Sequence, residues 1–115
     1  MKNEIMTGLS LRSLAKSAHS TAVEKGWWEK ERSIPEQIVL MHSELSEAVE
    51  ELRKPNARPF YLKDDKPEGW GVELADCVIR IMDTCERYNV DLQGLVELKM
   101  KFNESRPHRH GNKVL

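Results

Sequence analysis

A chain of 115 residues with 39% hydrophobic and 32% charged residues has apolar material for one folded domain over 1–115, and too much of it for a disordered chain. Its net charge of -1 excludes the basic field of a nucleic-acid binder or of a protein drawn to anionic membranes, and no apolar run approaches the roughly 20 residues that span a bilayer. Cys77 and Cys85 share one expected helix, roughly 12 Å apart at ~1.5 Å per residue, too far for a disulfide. Reduced thiols in a cytoplasmic protein without a signal peptide are the expectation.

The spacing of Leu11, Leu14, Ala15, Ala18 and Ala22 predicts a first helix over 9–25, stopped by Gly26. A polar stretch, Trp27 to Arg32, follows. Ser33-Ile-Pro-Glu36 has the form of a capping box and opens a second helix, which Pro55 ends. Its stripe of Ile38, Met41, Leu45, Val49 and Leu52 is widened by Val39 and Leu40. A helix apolar on more than one side needs a second partner, so an oligomer is expected. Residues 55–69 read as a long loop containing Pro55, Pro59, Pro67 and Gly69. A third helix is expected over 70–88. Asn89 ends it and Asp91 caps a fourth, which runs to about Glu104 before Pro107. The tail is basic, and no strand-like alternation stands out. The predicted class is therefore all-α and four-helix-bundle-like.

The second helix carries Glu44-Leu-Ser-Glu47 and the third Glu73-Leu-Ala-Asp76. Acids three residues apart lie on adjoining turns of one face. On the third helix Glu73, Asp76 and Arg80 form an arc bordering the apolar arc of Leu74, Val78, Ile79 and Met82. These acids therefore stand at the edge of a packed surface. Converging carboxylates repel, and without a cation some take up protons. Oxygen ligands without cysteine favour Mg²⁺, Mn²⁺ or Ca²⁺ over Zn²⁺. The opposing reading is that each pair is an ordinary solvated feature of a helix. No P-loop, His-Glu-x-x-His or dinucleotide fingerprint is present, and Val39 stands where a Glu-x-x-His pair ending at His42 would need its acid.

Taken in order, EKGWWEK (24–30), HSELSEAVEELRK (42–54), ELADCVIRIMD (73–83) and KMKFNESRPHRHGNK (99–113) resemble the MazG-like all-alpha nucleotide pyrophosphohydrolases across nearly the whole chain. The resemblance implies Mg²⁺, with Mn²⁺ as substitute, held by Glu44, Glu47, Glu73 and Asp76. It implies cleavage of nucleoside triphosphates between the α and β phosphates, in the service of nucleotide-pool housecleaning. Glu47 is the residue assigned to orient or deprotonate the attacking water. Lys99, Asn103 and Arg106 resemble the family's phosphate contacts, with weaker claims for His108, Arg109, His110 and Lys113. Of Trp27 and Trp28, one is expected to pack and one to meet a nucleobase, Trp28 being favoured, with His19 near that base. Arg80 and Asp83 adjoin the acid arc as supporting partners. Family members are homodimers or dimer-based tetramers, in some of which a site draws on more than one subunit. The alternatives are a non-catalytic helical interaction module and a relative acting on phosphoribosyl-ATP.

Overall fold

The computed structural model describes residues 9–107 and 114. Four helices, α1 (Leu11–Glu24), α2 (Ile34–Leu52), α3 (Trp70–Arg87) and α4 (Leu92–Glu104), are joined by turns and one short hairpin, β1 (Tyr61–Lys63) with β2 (Lys66–Glu68). The helix boundaries follow from local chemistry. The Ser10 hydroxyl accepts the Ser13 N–H and caps α1. At its other end Gly26 takes φ 85°. There the Trp27 N–H donates to the Ala22 carbonyl at 3.0 Å and the Gly26 N–H to the Val23 carbonyl at 3.1 Å. This pair of bonds closes a helix end where a left-handed residue follows. At the start of α2 the capping box is complete: Ser33 N–H donates to Glu36 Oε1 at 2.8 Å, and Glu36 N–H to Ser33 Oγ at 3.3 Å.

The stretch 55–69 is not irregular throughout, and the expectation of no strand is corrected here. Tyr61 pairs with Glu68, Leu62 with Pro67 and Lys63 with Lys66. Asp64 and Asp65 sit at φ 52° and 64°. Two central residues with positive φ make the hairpin turn whose twist matches that of the flanking strands. The hairpin is fastened to the start of α3: Gly71 N–H donates to the Pro59 carbonyl at 2.9 Å. A Cβ on Gly69 would lie 2.5 Å from that carbonyl oxygen, and one on Gly71 2.8 Å from it. Gly69 also takes φ 121°, a conformation side chains disfavour.

Helix α3 is the hub. It packs on α2 and on α1, and only lightly on α4. Ala15 of α1, Ala48 of α2 and Cys77 of α3 are buried, small residues that let the helices approach, and Met82 and Trp28 fill the remainder. Met82 alone contributes about 1.5–3 kcal/mol by leaving water. Helix α4 is different. Asn89, at φ 59°, ends α3, and Asp91 caps α4 by accepting the Gly94 N–H. Asp91 also takes the Arg12 guanidinium of α1, at 2.9 and 3.1 Å. Yet α4 buries no residue, and Leu98 is 67% exposed. Among the described residues no helix is long and apolar enough to cross a membrane.

Candidate metal centre

The acids of α2 and α3 meet. Carboxylate oxygens of Glu44, Glu73 and Asp76 all lie within 4.8 Å of one another. Glu73 belongs to a second trio of the same closeness, with Glu51 of α2 and Glu68 of β2. The second trio already holds cations: Lys54 bonds Glu51 at 2.7 Å and Lys66 stands 3.4 Å from Glu68. Glu51 also accepts the Tyr61 hydroxyl. The Lys54 bond, foremost, keeps its carboxyl below the usual range. Among the described residues the first trio is ion-paired with one cation, Arg80, whose Nε donates to Glu44 at 2.7 Å.

That shortage of positive charge shows in the acids. Partial burial, then the charges of Asp76, Glu47 and Glu44, push Glu73 up to about 6. Asp76 is raised as well, first by burial and then by Glu44. A hydrogen bond with Glu73 and the charges of Arg80 and Lys66 oppose that rise. Carboxylates that prefer a proton in the absence of a cation fit a hard divalent ion with oxygen ligands. Glu44, Glu73 and Asp76 are the residues placed to hold one. Glu47, exposed on α2, joins neither trio, although its charge bears on Glu73.

A cavity of about 240 Å³ opens beside the first trio. Glu44, Asp76 and Arg80 form one side of it, and Trp27, Trp28 and Ile79 line it elsewhere. The two tryptophans differ: Trp28 is 8% exposed and Trp27 56%. Trp28 is thus the one that packs, while still contributing to the wall. Its Nε1 donates to Asp83 at 2.9 and 3.1 Å, and the Asp83 carboxylate also meets His19 Nδ1 at 2.7 Å. His19 stands edge-on to the Trp28 ring, 5.9 Å between centres, and the Arg87 guanidinium lies 4.6 Å from that ring. His19 supports the Trp28 ring and is not among the residues lining the cavity. Asp83 serves this network, whereas Arg80 serves the acids.

The cations at the end of α4 form a separate group. Lys99 Nζ lies 4.9 Å and the Arg106 guanidinium 5.4 Å from the centre of the Phe102 ring. The Asn103 carbonyl accepts the Arg106 N–H at 3.2 Å. The cations bearing on Asp76 are Arg80 and Lys66, neither of them from α4. His108, Arg109, His110 and Lys113 lie outside the described residues.

Three residues of this region escaped the sequence reading. Glu51 lies on the same helix as Glu44 and Glu47, four residues beyond the latter, and that spacing was its signal. Glu68 enters only because the hairpin folds back beside α3, which no helical periodicity announces. Gln37 is 4% exposed and lines the cavity, though a polar residue in the first turns of a helix usually faces water. No family model, curated protein or solved structure matches this chain.

Proposed function

We propose that this chain is a Mg²⁺-dependent pyrophosphohydrolase of nucleoside triphosphates, releasing the monophosphate and pyrophosphate. The observation that carries the reading is the convergence of Glu44, Glu73 and Asp76 within 4.8 Å, next to a cavity with aromatic walls. The resemblance to MazG-like enzymes supports it, with the acids in the same order along the chain.

In this reading Glu44, Glu73 and Asp76 hold the metal, with Glu47 beside them. Arg80 fixes the Glu44 carboxylate through its 2.7 Å bond. Bound Mg²⁺, or Mn²⁺ in its place, neutralises phosphate oxygens and lowers the pKa of water. Glu47, outside the trio and exposed, is the residue proposed to orient or deprotonate the attacking water. The base enters the cavity at Trp27 and Trp28, and His19 keeps the Trp28 ring in place. Lys99, Asn103 and Arg106 are proposed to meet phosphates in a neighbouring subunit's site. A second copy would also cover Val39, Val49 and Leu52 on α2 and Leu98 on α4, all more than half exposed. The assembly is a bundle-like dimer or a dimer-based tetramer, which analytical ultracentrifugation measures.

The direct test is a panel of nucleoside triphosphates with Mg²⁺, scored separately for pyrophosphate and orthophosphate. Pyrophosphate release supports the reading. No turnover by folded, Mg²⁺-loaded protein removes it. Phosphoribosyl-ATP in the same panel separates the related activity. The uncovered α2 face also suits a non-catalytic interaction module, for which neither Mg²⁺ nor nucleotide would raise the melting temperature.

A further inference from the structure

The polar side chains of this cavity are not alike. Arg80 is bound to Glu44, and Asp83 to Trp28 and His19. Gln37 is 4% exposed, and its amide makes no hydrogen bond to any described residue. Among the described residues Thr84 Oγ1 is the sole buried side-chain polar atom that is both sealed off and unpartnered. The Gln37 amide is therefore not fully sealed off, and Gln37 is one of the residues that line the cavity. An amide withdrawn from bulk water without a partner loses free energy that a matching ligand restores. Its two donors and its carbonyl oxygen are all available to such a ligand.

We infer that Gln37 holds the edge of the bound base and that the cavity favours bases carrying an amino group beside a ring-nitrogen acceptor, as adenine and cytosine do. This inference rests on the nucleotide reading and specifies its substrate class. A glutamine amide matches such an edge with two bonds, its oxygen accepting from the amino group and its nitrogen donating to the ring, and turned over it matches a keto edge as well, so Gln37 holds the base edge without choosing it. Asp83 makes the choice. It also lines the cavity, and its Oδ2 accepts only the longer 3.1 Å bond from Trp28. A carboxylate only accepts, so it favours an amino group and opposes the carbonyl that uracil and thymine present at the same place. The aromatic and aliphatic walls, Trp27, Trp28 and Ile79, suit a flat ring and give little discrimination of their own.

The test has two arms. In the first, deoxyadenosine, deoxycytidine, deoxyuridine and thymidine are titrated without metal, with tryptophan fluorescence as readout. In the second, kcat and KM are measured for the four triphosphates with Mg²⁺. Wild type is expected to prefer dATP or dCTP over dUTP and dTTP by about tenfold, and Gln37→Leu to weaken all four mainly through KM. Gln37→Glu keeps the acceptor and drops the donor, so it should weaken the keto bases most and widen the ratio. It also decides the matter if the leucine variant does not fold. Equal treatment of amino and keto bases by wild type, or base binding unchanged in both variants, overturns the inference. Ordered nucleoside binding without hydrolysis of any triphosphate leaves the base site standing and removes the hydrolase reading instead.

Discussion

Asp83 and Asp76 stand on the same helix, seven residues apart, and they live in opposite surroundings. Asp83 accepts two bonds from Trp28 and one contact from His19. Asp76 faces Glu44 and Glu73 and is pushed toward its protonated form. Both carboxylates are partly buried. The fold supplies the first with donors, and it sets the second among other acids. The contrast separates an acid whose charge its neighbours answer from one whose charge they oppose, a distinction that burial alone would miss.

The largest effect should come from breaking the satisfied side. Trp28→Ala removes a buried ring and leaves Asp83 without its main donor, costing about 3–5 kcal/mol in urea denaturation. On the other side Glu44→Gln or Asp76→Asn should leave the melting temperature within a few degrees of wild type. Pyrophosphate release should fall by more than the roughly 100-fold typical of outer metal partners. A variant that unfolds instead would show the acids to be structural. Asp83→Ala should cost about 1–3 kcal/mol, since Trp28 Nε1 is then buried without an acceptor.

A pH series sharpens the comparison. Burial and the neighbouring acids raise the folded Glu73 carboxyl to about 6, above its ordinary value of 4.5. A raised acid contributes stability that is full below about pH 4.5 and is lost as pH rises through 6. Metal-free protein should therefore lose part of its stability between pH 4.5 and 7, and Mg²⁺ should restore it at the upper end. Glu73→Gln should flatten this loss, and circular-dichroism melts with chelator and with Mg²⁺ follow both. The smallest effect concerns neither acid. Ser33→Ala should cost about 1 kcal/mol by removing the cap of α2, with no change in metal response.

The helices were legible because their signals are local: the capping box at Ser33, Gly26 and Asn89 as stops, and Asp91 as cap all act as their residue types predict. The pairing of Glu44 with Glu73 and Asp76 was legible too, because each acid borders an apolar arc and packed arcs bring their borders together. What escaped depended on contacts distant in sequence. The Asp64-Asp65 turn is a short-range signal in hindsight, but a strand of three residues has no periodicity to read. Glu68 reaches the acids only through that turn. Lys99 and Arg106 match a pattern, yet spacing alone could not tell which site they serve, and the described contacts set both beside the Phe102 ring.

The fastening of Gly69 and Gly71 to Pro59 carries a mechanical consequence. With no room even for a methyl group at the joint, the hairpin and the first turn of α3 behave as one lever, with Glu68 and Glu73 on its two arms. A pull on the Asp64-Asp65 tip is transmitted to the acid shared by both trios rather than absorbed by a slack connection. Lengthening the chain between Arg53 and Arg58 would leave that lever intact, whereas one residue added between Pro59 and Gly71 would detach it.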